Sequence, residues 1–300
     1  MTSTMIASYG AELELADIDR SRALPPGCGW DTKDFSMVNS DGIAVDPTGR
    51  LHDRGGEVQT MPTCTLSEQV QVFREVMWTF PEAKVNYRGN LHVHVRIPGL
   101  GDDLEQLKSL QKFIHERFRE VVSLLEPIPR PTREQYPSFE AMEGAVWRFN
   151  RRKKSHQTFL TPHRVAHQLN AKTVEEFFRL EVPTTAEGKP MWHAQPRCCV
   201  NLRQLMQTDT VEFRHFPGTC VAERFKAALQ WVTYFIQAWQ NNDSKQDLVD
   251  MALSVRDELP KFEPYDHELE TRYRLTTHDG TIPRAKLIEN IRKFQIETLV

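Results

Sequence analysis

Thr210-Val-Glu-Phe-Arg-His-Phe-Pro-Gly218 is the stretch on which the reading of this chain turns. It is rich in β-branched and aromatic residues and Pro217-Gly218 stops it, so it is expected to be a strand. Side chains alternate faces along a strand. Glu212 and Arg214 therefore share one face, and Val211 and Phe213 share the other. A carboxylate beside a guanidinium can hold both a cation and a phosphate. For this strand alone, a cross-strand salt bridge on a solvated face is the simpler explanation.

Two further strands change that balance. Ala7-Ser-Tyr-Gly-Ala-Glu-Leu-Glu-Leu-Ala16 puts Glu12 and Glu14 on one face and Ala11, Leu13 and Leu15 on the other. Gly89-Asn-Leu-His-Val-His-Val-Arg-Ile97 puts Asn90, His92, His94 and Arg96 opposite Leu91, Val93, Val95 and Ile97. Each strand thus offers an apolar face for a core and a second face bearing carboxylate, imidazole or guanidinium. Alternate carboxylates on a strand lie roughly 6.5–7 Å apart at Cα, which suits neighbouring metal sites, since paired catalytic metals lie about 3.5–4 Å apart. One sheet containing all three strands would present a polar, metal-binding concavity backed by a hydrophobic layer.

The remaining composition sets limits. The chain has 300 residues, enough for a sizeable core, and 39% hydrophobic with 26% charged residues is typical of globular proteins. With 38 basic against 41 acidic residues, the net charge of −3 gives no global attraction to nucleic acid or membrane. Cys28, Cys64, Cys198, Cys199 and Cys220 show no Cys-x-x-Cys zinc spacing, and reduced thiols are expected. The apolar run Ala227–Trp239 is too short and too polar to span a bilayer, and the N-terminus lacks the pattern of a secretory signal. The expectation is a soluble, cytoplasmic protein without a membrane partner.

Along the chain, residues 29–42 read as a short strand pair, and Arg54-Gly-Gly-Glu-Val-Gln-Thr-Met-Pro62 as a strand carrying Glu57. Taken by itself, Glu57 reads as an ordinary surface residue. Thr65 and Glu68 form a capping box at the start of a helix with Val70, Phe73 and Met77 on one stripe. Asp102–Leu125 is a long amphipathic helix expected to cover the back of the sheet, ended by Pro127, Pro129 and Pro131. Residues 137–182 are helical in pattern, with Thr161-Pro162 and Thr173–Glu176 as helix starts. Ahead of both, the basic run Arg151–Lys154 is expected to be a solvated loop, with a phosphate- or nucleic-acid-facing loop as the alternative. Val221–Gln240 is another amphipathic helix, and helices are expected near 243–257 and 284–297.

Gly10-Ala-Glu-Leu-Glu14, Gly56-Glu57, Asn90-Leu-His-Val-His-Val95 and the Asn201–Thr219 segment occur in the order and approximate spacing of the amidoligase family, which the chain resembles from about residue 8 to about 240. That family is related to glutamine synthetase and glutamate–cysteine ligase, the ATP-dependent carboxylate–amine ligases. Where the family often has Cys-Gly before its His-x-His strand, this chain has Gly89-Asn90. The resemblance implies that Glu12, Glu14, Glu57, His92, His94 and Glu212 hold Mg²⁺ or Mn²⁺. It implies that Arg214 meets the γ-phosphate of ATP, that Arg197 and Asn201 lie near the nucleotide or substrate carboxylate, and that Arg96 also serves the nucleotide, with Glu57 and Arg214 catalytic. A substrate carboxylate, with glutamate as the candidate donor, would form an acyl phosphate that an amine then converts to an amide. Carboxylate-rich ligation suits hard Mg²⁺, and phosphoryl transfer needs divalent ions with a guanidinium, so the chemistry is self-consistent.

The expected architecture is α+β: a curved antiparallel sheet with the site on its concave face and helices on its back, like a glutamine synthetase catalytic domain. Residues 1–240 would form this domain with a helical insertion at about 102–185, and 241–300 a helical extension. A two-metal hydrolase and a non-catalytic binding protein on the same fold are the alternatives. Nucleic acid enters only as a conceivable amino-modified substrate.

Overall fold

The period-two patterns of the three polar-faced segments build adjacent strands in a computed structural model that describes residues 6–31, 55–87, 89–125, 130–156, 158–179 and 198–266. In chain order the elements are β1 (Ser8–Ala16), β2 (Gly29–Asp31), β3 (Gly55–Gln59), α1 (Leu66–Thr79), β4 (Asn90–Arg96), α2 (Leu104–Phe113) and α3 (Arg119–Leu125). They continue with α4 (Phe139–His156), α5 (Pro162–Asn170), α6 (Val174–Arg179), β5 (Val200–Asn201), α7 (Leu205–Thr208), β6 (Val211–Pro217), α8 (Ala222–Asn241) and α9 (Lys245–Val255). The strands form one sheet in the order β2-β3-β1-β4-β6-β5, and every neighbouring pair is antiparallel. The α+β architecture with an antiparallel sheet is therefore present.

The apolar face is closed by α1 and α8. Ala11, Leu13, Val93, Val95, Val211 and Phe213 are buried there with Phe73, Phe225 and Phe235. Phe73 stacks on Phe225 at 4.4 Å between ring centroids, and Phe235 meets Phe213 at 5.3 Å. The Tyr9 hydroxyl, on the same face, lies 3.0 Å from the Thr233 hydroxyl of α8. Helix starts follow the sequence signals. Thr65 and Glu68 form the capping box of α1, Asp103 caps α2, Thr161 with Pro162 opens α5, and Ser244 with Asp247 caps α9. The helix expected over Asp102–Leu125 is realised as α2 and α3 joined by a wide π turn at Ile114–Phe118. Its stripe of Leu107, Leu110, Ile114, Phe118, Val121 and Leu125 stays buried.

Gly218 ends β6 for a steric reason. A Cβ there would stand 3.0 Å from Val85 Cγ1 and 3.1 Å from the Gly89 backbone, where Gly218 N–H donates to Gly89 O at 2.9 Å. The described part of the expected extension packs into the same core, with Leu248, Ala252 and Leu259 buried beside α3 and α8. The basic run corrects an expectation: Arg151–Lys154 is not a loop but lies in the last turns of α4. Basic residues in the last turns of a helix suit the negative end of its dipole, which favours continuing the helix through them. The helix expected at 284–297 and the strand pair beyond Asp31 lie outside the described residues. No helix among the described residues is long and apolar enough to cross a membrane.

β6 breaks the strict alternation. Val93 pairs with Phe213 but Leu91 pairs with Phe216, so Arg214 and His215 together oppose His92 in a β-bulge. The extra residue keeps Arg214 on the polar face and returns Phe216 to the core. His215 is packed among Phe118, Phe213 and Phe216, with centroids 5.3, 6.1 and 4.0 Å away. Neither of its ring nitrogens makes a well-aligned hydrogen bond. Burial pushes its pKa down to about 3, only partly opposed by the adjacent Cys199 backbone. A depressed imidazole pKa leaves stability intact above the unfolded value near 6.5 and erodes it as pH falls from there towards 3. His215→Phe and His215→Leu should therefore flatten the acid limb of stability by about 1.4 kcal/mol per pH unit. Urea unfolding at pH 7 and pH 4.5 checks this, and equal slopes in wild type and both variants would refute it.

Candidate metal centre

Strand register brings the polar residues together. Across neighbouring strands Glu14 pairs with Glu57, Glu12 with His92, His94 with Glu212, and Asn201 with Glu212. Because all these positions lie on the face opposite the core, their side chains converge. One atom each of Glu12, His94 and Glu212 can be chosen so that all three lie within 4.8 Å of one another, a spacing open to a shared cation. His94 Nε2 stands 3.3 Å from Glu12 Oε1 and makes no ordinary hydrogen bond, while Nδ1 lies 3.0 Å from the Thr210 hydroxyl. An orphaned, buried imidazole nitrogen facing a carboxylate, with its other nitrogen held by a protein oxygen, is the donor arrangement a metal ligand requires. Two carboxylates with one imidazole fit Mg²⁺ or Mn²⁺ chemistry.

The other expected ligands stand differently. His92 Nδ1 is 2.7 Å from Glu12 Oε2 and 3.6 Å from Glu212 Oε1, so that nitrogen is engaged in orienting the carboxylates. Glu14 accepts from the Asn90 backbone N–H at 2.9 Å and the Asn90 side-chain amide at 2.6 Å. Glu14 and Glu57 are both buried and face each other across β1 and β3, but they are not part of the three-residue set.

The expected nucleotide-binding residues also separate. Arg214 donates through its guanidinium to Glu212, and its Nε–H is buried with no acceptor. Asn201 is occupied at both ends, donating to Glu212 Oε2 at 2.7 Å and accepting from Arg203 N–H at 3.2 Å. In this structure it positions Glu212. Arg96 forms a half-exposed ion pair with Asp209 at 2.7 Å. Arg197 lies outside the described residues. Sequence reading passed over Thr210, Asp209 and Asn90 as partners of the site residues, because their role depends on which strand lies alongside.

Burial alone would raise the Glu12 carboxyl, but the hydrogen bond with His92 and the charge of the two histidines hold it below the usual carboxylate range. Glu212 is likewise lowered, the penalty of burial being outweighed by Arg214 and then the two histidines. His92 is pushed down by burial and by Arg214. His94 is raised, since the pull of Glu12 and Glu212 exceeds its burial penalty. The centre thus holds anionic carboxylates and seeks a positive charge at His94 Nε2, which a proton or a metal ion can supply.

Comparisons with protein-family models, with curated proteins and with solved structures find no match to this chain.

Mn²⁺ should raise the melting temperature by several degrees, since a ligand at a hundred times its Kd adds about 2.7 kcal/mol to stability. Glu12→Gln and Glu212→Gln should each lose that rise, EDTA should reverse it, and Glu14→Gln should keep most of it. Thermal scans of the four proteins decide the ligand set, and an undiminished rise in Glu12→Gln would exclude the centre described.

Proposed function

We propose that the chain is an ATP- and Mg²⁺-dependent carboxylate–amine ligase, an amidoligase with a catalytic domain of the glutamine synthetase kind. Three features support this reading. The first is the order of the Glu-x-Glu, Gly-Glu, His-x-His and Glu-x-Arg motifs. The second is their meeting on one face of an antiparallel sheet. The third, which carries most weight, is Arg214: a buried guanidinium with an unsatisfied Nε–H beside a carboxylate–imidazole cluster. A buried donor without an acceptor costs about 1–3 kcal/mol, and an incoming phosphate oxygen would relieve that cost with a charge-assisted bond.

In this reading Glu12, His94 and Glu212 hold the divalent ion, His92 and Asn201 fix the two carboxylates, and Arg214 receives the transferred phosphoryl group. A bound Mg²⁺ or Mn²⁺ would neutralise charge on the phosphate oxygens. A substrate carboxylate oxygen attacks the γ-phosphorus and ADP leaves, with Arg214 stabilising the charge on the phosphoryl oxygens. The amine then attacks the acyl carbon and expels phosphate, leaving the amide and a proton. The buried Glu14–Glu57 pair draws the amine in as its ammonium form, and one of the two accepts the proton it must lose. Glutamate or a glutamyl-like group is the proposed donor. The acceptor is an amino acid, a polyamine, a peptide or an amino-modified nucleobase.

ATP turnover with Mg²⁺ or Mn²⁺, glutamate and a panel of amines tests this directly. ADP and phosphate should appear only with an amine present and fall about 10²–10³-fold in Arg214→Ala and Glu212→Gln. If the protein binds Mn²⁺ but neither binds nor turns over ATP, the ligase reading fails and a metal-dependent hydrolase takes its place.

A further inference from the structure

We propose that Thr208 and Thr210 form a hydroxyl relay that fixes the tautomer of His94 and presents its Nε2 lone pair to the Glu12–Glu212 carboxylates. The direction of the relay follows from counting protons. Thr208 Oγ1 lies 3.1 Å from the Gln204 carbonyl oxygen, which can only accept, so the Thr208 hydroxyl proton is used there. Thr208 and Thr210 oxygens are 2.7 Å apart. With the Thr208 proton already engaged, Thr210 must donate to Thr208. Thr210 then has no proton left for His94, whose Nδ1 lies 3.0 Å away, so His94 Nδ1 carries a hydrogen and donates it to Thr210. In the neutral ring that leaves Nε2 bare, 3.3 Å from Glu12 Oε1. Two acceptors facing each other across that gap need a cation between them.

The turn that joins α7 to β6 builds this relay. Asp209, between the two threonines, adopts φ +55°. It turns the chain sharply enough for both hydroxyls to meet, and its carboxylate is held by Arg96. Thr208 and Thr210 are thus positioning residues acting through His94. The assignment rests on the metal-centre reading only where metal affinity is measured.

Two measurements separate the relay from that reading. In long-range ¹⁵N–¹H spectra of metal-free protein at alkaline pH, His94 should be the Nδ1–H tautomer in wild type. Thr208→Val should shift it towards Nε2–H by freeing the Thr210 proton. In titrations with Mn²⁺ alone, Thr210→Val should weaken binding about 10–100-fold, the usual cost of losing an outer partner of a ligating histidine. Thr210→Ser should restore it, and Thr208→Val should weaken it although Thr208 touches no ligand. An Nε2–H tautomer in wild type, or unchanged Mn²⁺ affinity in Thr210→Val, would overturn the relay. Wild type that binds no Mn²⁺ but shows the Nδ1–H tautomer would overturn the metal reading and leave the relay standing.

An independent observation lies on α5. We infer that His163 and His167 form a two-imidazole site for a divalent ion of the Ni²⁺ and Cu²⁺ class. They stand one turn apart on the exposed face, with Nε2 atoms 2.9 Å from each other and ring planes at 83°. Two imidazole nitrogens each about 2.0–2.1 Å from one ion, at the right angle of tetragonal coordination, are separated by about that distance. Imidazole donors select this class over Mg²⁺, so the site differs in chemistry from the carboxylate-rich centre. Calorimetric titration with Ni²⁺ should show that His163→Asn and His167→Asn each lose more than tenfold in affinity, as much as the double variant, because either change breaks the chelate. Single variants within twofold of wild type would overturn it.

Discussion

The antiparallel pairing of β1 with β4 is the constraint on which everything else depends. It sets Glu12 against His92 and, through the next strand, His94 against Glu212. A slip of one residue would turn Leu13, Leu15, Val93 and Val95 out of the core and carry the acids and imidazoles into it. Burying four such side chains is worth on the order of 10 kcal/mol, comparable with the net stability of a whole domain. The hydrophobic face thus fixes the geometry of the polar one. The site residues need contribute nothing to fold stability for their positions to be defined.

They do the opposite. Four carboxylates, two imidazoles and the Arg214 guanidinium are crowded on one face, and Glu14, Glu57, His92 and Glu212 are among its most buried members. Removing ions from water costs several kcal/mol each, and well-packed apolar residues of similar size are commonly as stable or more so. The cluster is therefore poor material for stability and good material for binding. Its lowered carboxylates and raised His94 describe a cluster of anionic carboxylates beside an imidazole that favours positive charge.

Much of this was legible in the sequence. Period two exposed the polar and apolar faces of β1, β4 and β6, and the capping signals marked α1, α5 and α6. What no single strand could reveal was which polar residues meet, because that depends on register between segments up to about two hundred residues apart. Hence the different surroundings of His92 and His94, which share one face of β4, emerge only with their neighbours in place. Asn201 and Arg96 illustrate the same limit: each looked free to meet a ligand, and each is engaged by a residue, Glu212 or Asp209, whose proximity only the fold creates. The Arg151–Lys154 run misled for a local reason, since charge density marks solvent exposure and a helix end is as solvated as a loop.

The bulge in β6 ties core and site into one device. Without the extra residue, strict alternation would put Phe216 on the face that holds Glu212 and Arg214, and an apolar ring would then stand among the carboxylates. With it, Phe216 pairs with Leu91 in the core and the strand spends two residues, Arg214 and His215, opposite His92. Arg214 keeps the place beside Glu212 that alternation gives it, and His215 follows as the extra residue, driven into an aromatic pocket where burial disfavours its charged form. Bulges concentrate where a strand must re-aim a side chain for use. A locally disrupted ladder and a buried imidazole without a well-aligned hydrogen bond are costs that packing alone gives no reason to keep. They are intelligible if the strand must hold Glu212 and Arg214 together on one face and still return Phe216 to the core.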